Sequence, residues 1–154
     1  MVPTTLTELR PDPERGCPVA RTPIRVRYAE IDRMGFAFNA HYLTWFEIGR
    51  SEFMRALGHS YRSVEERGHY LPLVETAFTL RSPVRYDDLM TIETWIADLR
   101  SRTITFAYRI VLGERVLAEG MTRHACLCAA TGRATSLPAW LSQKLRPCCA
   151  PPLA

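Results

Sequence analysis

The feature that most constrains this chain is one long amphipathic segment followed by several strand-like segments. Between Asn39 and Gly58 a single glycine and no proline interrupt the chain, and apolar residues recur at intervals of three and four. This spacing places them on one face of a helix: Leu43, Phe46, Phe53, Met54 and Leu57. Tyr42 and Trp45 widen the apolar face, so we expect the helix to be covered on most sides. Asn39 is suited to cap its first turn and Gly58 to end it.

The segments around this helix alternate in the manner of β-strands. The clearest is TITFAYRIV at 103–111, where apolar and more polar residues alternate strictly. The same pattern predicts strands near 22–29, 70–81, 89–99, 102–112 and 115–128. Because consecutive strands joined by short turns pair antiparallel, and one helix and one sheet can bury each other's faces, we predict an α+β domain. Its antiparallel sheet would wrap around one long central helix.

The ends of the chain lack such periodicity. Residues 1–21 carry several prolines and charges, which predicts a flexible N-terminal arm, and residues 146–154 read as a disordered tail. The prediction is therefore a single domain over 22–145. A chain of 154 residues with 47% hydrophobic content is long enough to bury a core of that kind.

Composition excludes several classes of protein. No run of about 18 apolar residues predicts a membrane span, and the N-terminus lacks the apolar centre of a secretory signal, so a cytoplasmic location is expected. The net charge of +4 is modest and unclustered, so no nucleic acid partner is expected. Five cysteines without a signal argue against a disulfide framework, and their spacing is a poor match to a metal site.

Two segments carry a resemblance to a known family. YAEIDRMGFAFNAHYLTWFEIGRSEFMR at 28–55 resembles the 4-hydroxybenzoyl-CoA thioesterase family, especially its bacterial acyl-CoA thioesterase branch, and SPVRYDDLMTIETWI at 82–96 is similar to the family's approach to its third strand. The likeness covers about residues 22–142. It implies the hotdog fold and hydrolysis of an acyl thioester of coenzyme A or of acyl carrier protein. It also implies a homodimer or homotetramer with sites at the interface.

The resemblance also implies roles for particular residues. Asp32 matches the family's catalytic carboxylate, Gly35 its glycine, and Phe38 the aromatic residue before the helix. Tyr28, four residues ahead of the acid, matches a tyrosine that recurs in the bacterial branch. That branch usually has histidine at the position of Asn39 and asparagine two residues later, whereas here the two types are exchanged, which leaves any role of the histidine open.

The chemistry of these residues fits thioester hydrolysis. The Asp32 carboxylate is ionised at neutral pH and could be the nucleophile or the general base, although aspartate is also common in surface turns. The first N–H groups of the helix, at Asn39 and Ala40, have no partner within the helix and could stabilise an oxyanion. Gly35 would permit the tight turn and leave room for the acyl group.

Five residues have two interpretations each. The Asn39 side chain could cap the helix or contact substrate, and His41 could be a core or interface residue or a catalytic one. Tyr28 is expected to face the helix side of its strand, as a core residue or as a catalytic one. The resemblance implies a role for Arg100 and Arg102, because the 4-hydroxybenzoyl-CoA enzyme has a basic cluster that contacts the nucleotide in the same turn, between the third and fourth strands. The two arginines could bind phosphates of coenzyme A or be solvated.

Two other functions remain open at this point. A hotdog domain could bind acyl-CoA or a lipid without turnover, and a hotdog dehydratase or hydratase would need a closely spaced Asp and His, which the nine positions from Asp32 to His41 do not supply. The sequence contains no glycine-rich phosphate loop, so binding of ATP or of a dinucleotide is not indicated. No cofactor or metal is expected beyond the coenzyme A of the substrate.

Overall fold

The computed structural model describes residues 6–152, which form eight strands and three α-helices. In chain order they are β1 (Glu8–Asp12), β2 (Cys17–Arg25), α1 (Ala40–Ala56), α2 (Tyr61–Glu66), β3 (His69–Tyr70), β4 (Leu73–Leu80), β5 (Leu89–Leu99), β6 (Thr103–Leu112), β7 (Arg115–Ala125), β8 (Leu127–Cys128) and α3 (Ala139–Leu145). Short 3₁₀ helices cover Tyr28–Glu30 and Arg146–Cys148.

Six strands form one large sheet in the order β1-β2-β5-β6-β7-β4. Every neighbouring pair in it is antiparallel, which confirms the sheet predicted from consecutive strands. Strands β3 and β8 pair separately. Since β4 pairs only with β7 among the described residues, β4 is an edge of the large sheet.

Helix α1 packs its apolar face on the middle of this sheet. Phe46 stacks on Tyr108 of β6 with ring centroids 4.4 Å apart, and Phe46 and Phe53 are fully buried. A Cβ atom at Gly49 would lie 2.5 Å from Thr94 Oγ1 of β5, so only glycine lets the helix lie this close to the strand. Ile92 Cγ2, which would lie 2.9 Å from the same Cβ, is also on β5, so α1 lies directly against the side chains of this strand.

The predicted N-terminal arm is wrong for residues 8–21, which form β1 and most of β2. Pro11 and Pro18 hid the strand pattern, but they lie opposite each other in a pairing at the edge of the sheet, where a missing N–H is tolerated. Charged residues of this segment form ion pairs with one another, since the buried Asp12 binds Arg21 at 2.8 Å and Arg15 at 3.3 Å. Residues 1–5 lie outside the described residues.

Two other boundaries differ from the sequence prediction. Strand β2 ends at Arg25, and Tyr28 lies in a 3₁₀ helix rather than in the strand predicted over 22–29. The predicted disordered tail is ordered as far as it is described, because Cys148 is buried and the Ala150 N–H donates to the Ile96 carbonyl at 2.9 Å. Residues 153–154 lie outside the described residues. In the described part of the chain, no helix has the length and hydropathy that crossing a bilayer requires.

Candidate active site

Asp32 begins a tight turn between the 3₁₀ helix and α1. Its N–H donates to the Phe36 carbonyl at 2.8 Å, and its own carbonyl accepts from the Gly35 N–H at 3.0 Å. The Asp32 Oδ1 atom accepts from the Met34 N–H at 2.9 Å. Gly35 has a φ of +82°, which side chains with a Cβ rarely adopt. The turn therefore fixes the position of the Asp32 carboxylate, and the prediction that Gly35 permits the turn is confirmed.

A buried glutamate, Glu30, anchors this turn to α1. Its carboxylate accepts hydrogen bonds from the Trp45 indole N–H at 3.1 Å, from the Arg27 N–H at 2.7 Å and from the Arg27 guanidinium at 3.0 Å. Its backbone carbonyl accepts from the Phe38 N–H at 2.9 Å. Glu30 thus connects the start of the turn to its end at Phe38 and to Trp45 of α1. Through these bonds it positions the segment that carries Asp32.

The protein keeps Glu30 charged in the interior. Burial alone would raise the pKa of this carboxyl group, but the hydrogen bonds from Arg27 and Trp45 outweigh burial, and the pKa of Glu30 is lowered from its ordinary value. No sequence pattern indicates this role, since a glutamate next to a turn is typical of a surface residue.

Asp32, which is partly buried, lines a cleft of about 430 Å³ at the start of α1. The walls are mainly apolar and come from the turn, the helix and the end of β4: Met34, Phe36, Ala37, Phe38, Asn39, Tyr42, Leu80, Arg81, Ser82 and Pro83. Asp32, Phe38 and Asn39, which the sequence predicts to lie together, all line this cleft.

The start of α1 leaves backbone donors beside the cleft. Neither the Asn39 N–H nor the Ala40 N–H donates a hydrogen bond within the described part of the chain, whereas the His41 N–H donates to the Phe38 carbonyl at 3.0 Å. The predicted side-chain cap by Asn39 is wrong, because this residue has helical backbone angles and its side chain makes no capping bond. The Asn39 side chain thus does not compete for the two N–H groups.

Tyr28 and His41 lie in different places from those expected. Tyr28 is 78% exposed, so it is not a core residue on the helix side of a strand; its ring lies 4.6 Å from that of Tyr86. His41 is half-buried, with ring centroids 6.3 Å from Phe38 and 6.5 Å from Trp45, and it is absent from the walls of the Asp32 cleft. The aromatic neighbours of His41 in the described part of the chain are therefore Phe38 and Trp45, at the start of α1.

Arg100 and Arg102 are not brought to Asp32 within one chain. They follow the end of β5, whereas the turn that carries Asp32 contacts Val84, just before β5 begins. The eleven residues of β5 span about 35 Å at roughly 3.4 Å per residue. Arg100 is also paired with Asp98, at 2.8 Å.

Comparison with known proteins places this architecture in a family. The model of the thioesterase-like superfamily matches residues 26–145. The chain belongs to this superfamily. The matched segment contains the Asp32 turn, α1 and the strands from β3 to β8, which confirms the resemblance found in the sequence.

Individual relatives agree with this assignment. The acyl-CoA thioesterase YbgC of Haemophilus influenzae is 29% identical over 106 residues, which are 68% of this chain and 78% of YbgC. The crystal structure of protein TT1821 from Thermus thermophilus superposes with a TM-score of 0.79 at 37% identity, covering 82% of this chain and 96% of TT1821. DHNA-CoA thioesterase from Staphylococcus aureus gives a TM-score of 0.76 at 25% identity, covering 81% of this chain and 85% of the enzyme.

Proposed function

We propose that this protein hydrolyses acyl thioesters of coenzyme A, with Asp32 as the attacking or water-activating carboxylate. The observation that carries the proposal is that Asp32 and Asn39, the residue that precedes α1, line the same apolar cleft. A carboxylate and open backbone N–H groups are the two elements that hydrolysis of a thioester requires. Membership of the thioesterase-like superfamily supports the same reaction.

In this mechanism the thioester carbonyl lies between Asp32 and the N–H groups of Asn39 and Ala40. Attack on the carbonyl carbon moves its electron pair onto oxygen, where the two N–H groups and the positive end of the α1 dipole stabilise the negative charge. The C–S bond then breaks and the thiolate leaves and takes up a proton. If Asp32 is the general base, water attacks directly; if it is the nucleophile, water hydrolyses the resulting anhydride.

The walls of the cleft indicate what the acyl group is like. Met34, Phe36, Phe38 and Tyr42 supply apolar and aromatic surface next to Asp32, so we propose an apolar acyl chain or an aromatic acyl group. Acyl carrier protein is a second carrier that the same chemistry would serve. A cytoplasmic location, expected from the sequence, stays a prediction.

We further propose that the protein works as a homodimer joined through β4. This edge strand leaves apolar side chains in solvent, with Leu73 43%, Val74 57% and Leu80 48% exposed, and its free edge can pair with a second copy. Leu80 also lines the Asp32 cleft, so a partner on β4 would help to enclose the acyl group. In such a dimer the joined sheet would wrap around α1 of each copy, and two dimers could associate as a tetramer.

The test is a panel of alkyl and aromatic acyl-CoA thioesters, with release of free thiol followed by a thiol reagent. We expect turnover of at least one apolar member, and the same panel on acyl carrier protein identifies the preferred carrier. Binding of the thioesters without thiol release from any of them would contradict the proposal and would indicate a binding module.

A further inference from the structure

A second cleft also has Asp32 in its wall. Its volume is about 380 Å³, and Asp32 is the one residue that lines both clefts. Its other walls differ in chemistry from those of the first cleft: Tyr28, Ile31, Arg33, Gly35, Arg85 and Tyr86. The mechanism above gives no role to the two tyrosines or the two arginines.

The tyrosines form an exposed aromatic pair. Their ring centroids are 4.6 Å apart, and Tyr28 and Tyr86 are 78% and 53% exposed. Two large aromatic side chains in solvent next to a cleft are typical of a binding surface. A flat heteroaromatic ring stacks well on such a surface.

The arginines carry positive charge that no carboxylate of the described residues neutralises. Neighbouring Arg25 and Arg27 are paired with Asp87 and Glu30, but Arg33 and Arg85 have no ion pair within residues 6–152. The guanidinium of Arg85 lies 4.8 Å from the centre of the Phe36 ring, which holds it beside the turn of Asp32. Guanidinium groups without a partner suit phosphate, which they bind with two parallel donors.

The two clefts share Asp32 and differ in chemistry, and they therefore match the two halves of an acyl-CoA, which the reacting carbonyl joins. The acyl half is apolar, whereas the coenzyme half is a polar arm that ends in an adenine nucleotide with three phosphate groups. Resting on the proposed function, we infer that the second cleft binds the coenzyme A half of the substrate. The pantetheine arm fills the cleft, the phosphates meet Arg33 and Arg85, and the adenine stacks at the exposed rim on Tyr28 and Tyr86.

The phosphate contacts proposed here differ from the arginines expected from the sequence. Arg100 and Arg102 lie beyond the far end of β5, while Arg33 and Arg85 flank Asp32 itself. A substrate held by Arg33 and Arg85 can present its thioester to Asp32 of the same chain.

The experiment measures binding of free coenzyme A, dephospho-coenzyme A and adenosine 3′,5′-bisphosphate by calorimetry. The variant is Arg33→Gln combined with Arg85→Gln, which removes both charges and keeps side-chain length. We expect coenzyme A to bind at least about 10-fold more weakly, because charge-assisted hydrogen bonds to phosphate are lost. The matched control is Arg62→Gln combined with Arg133→Gln, two exposed arginines elsewhere that change the net charge by the same amount.

Kinetics give a second readout. The Arg33 and Arg85 variant should raise KM for an acyl-CoA with little change in kcat, and should leave KM for the matching acyl-pantetheine unchanged, since that substrate has no phosphates. Tyr86→Leu should weaken the binding of adenosine 3′,5′-bisphosphate several-fold. Circular dichroism melting of each variant confirms that it is folded.

Unchanged binding of coenzyme A in the Arg33 and Arg85 variant would overturn the inference. So would a loss found instead in Arg100→Gln combined with Arg102→Gln. If acyl-CoA is hydrolysed normally while the Arg33 and Arg85 variant keeps wild-type KM, the coenzyme site is wrong and the proposed function stands. If no thioester is hydrolysed but coenzyme A still needs both arginines, the site stands and the proposed function is wrong.

Discussion

Glu30→Gln removes one charge and one acceptor from the point where the turn carrying Asp32 meets α1. The wild-type carboxylate is 2% exposed and has three donors aimed at its two oxygens. The Arg27 N–H bonds Oε2, while the Arg27 guanidinium and the Trp45 indole share Oε1. The substitution preserves the size of the side chain, so its effect reports these hydrogen bonds rather than a cavity.

The magnitude follows from the number of donors. A glutamine amide has one acceptor oxygen and one NH₂ group, so at least one of the three donors must face another donor. An unsatisfied buried donor costs about 1–3 kcal/mol, and hydrogen bonds to a charged group contribute about 1.5–3 kcal/mol. We therefore expect Glu30→Gln to lower the free energy of unfolding by about 2–3 kcal/mol, which for a chain of this size lowers Tm by roughly 5–10 °C.

Urea denaturation followed by circular dichroism measures this loss, with Glu47→Gln on the exposed face of α1 as the matched control. The control should change stability by less than about 0.5 kcal/mol. Turnover should also fall in Glu30→Gln, with a larger effect on kcat than the control shows. A stability equal to that of the control, within error, would refute the view that Glu30 anchors the Asp32 turn.

The remaining predictions concern pH and assembly. Burial and the charge of Arg50 lower the pKa of His124 to about 4 from 6.5. Because the unfolded chain takes up this proton more readily, the free energy of unfolding is highest above pH 6.5 and declines as pH falls from 6.5 through 4. At about 1.4 kcal/mol per pH unit, the whole loss is roughly 3 kcal/mol. Urea denaturation between pH 7 and 4 should show this decline, and an NMR titration of the His124 ring with a midpoint above 6 would contradict it. Val74→Lys, on the exposed edge of β4, should shift the protein from dimer to monomer in analytical ultracentrifugation, whereas an unchanged mass would exclude β4 as the interface.

The parts of the fold that were predictable are those set by local periodicity. Helix α1 and strands β5, β6 and β7 follow from apolar residues at intervals of three and four or of two, because each buries one face on its neighbour. The hairpin of β1 and β2 was missed because two prolines and several charges mask its alternation. Its stability depends on Glu93, which pairs with Arg15 and Arg21 at 3.3 Å and lies far away in sequence.

The site was predictable only in part for the same reason. The motif around Asp32 and Gly35 placed the carboxylate and the helix start correctly, since both are encoded in one short segment. The role of Glu30 depends on the Trp45 indole, and the exposure of Tyr28 depends on where β2 ends; neither has a local signature. The position of Arg85 beside Asp32 required the fold, because the two residues are distant in the chain. They are brought together by contacts such as the hydrogen bond from the Ala37 N–H to the Val84 carbonyl and the packing of Arg85 on the Phe36 ring.

The central claim is that the Asp32 carboxylate performs the chemistry in the cleft at the start of α1. Its most direct test is the rate of thiol release by Asp32→Asn, compared with Asp98→Asn at the far end of β5 and with binding of free coenzyme A as a check on the site. We expect kcat to fall by about 100-fold or more in Asp32→Asn, with coenzyme A binding and Tm close to wild type. Hydrolysis by Asp32→Asn at the wild-type rate would contradict it.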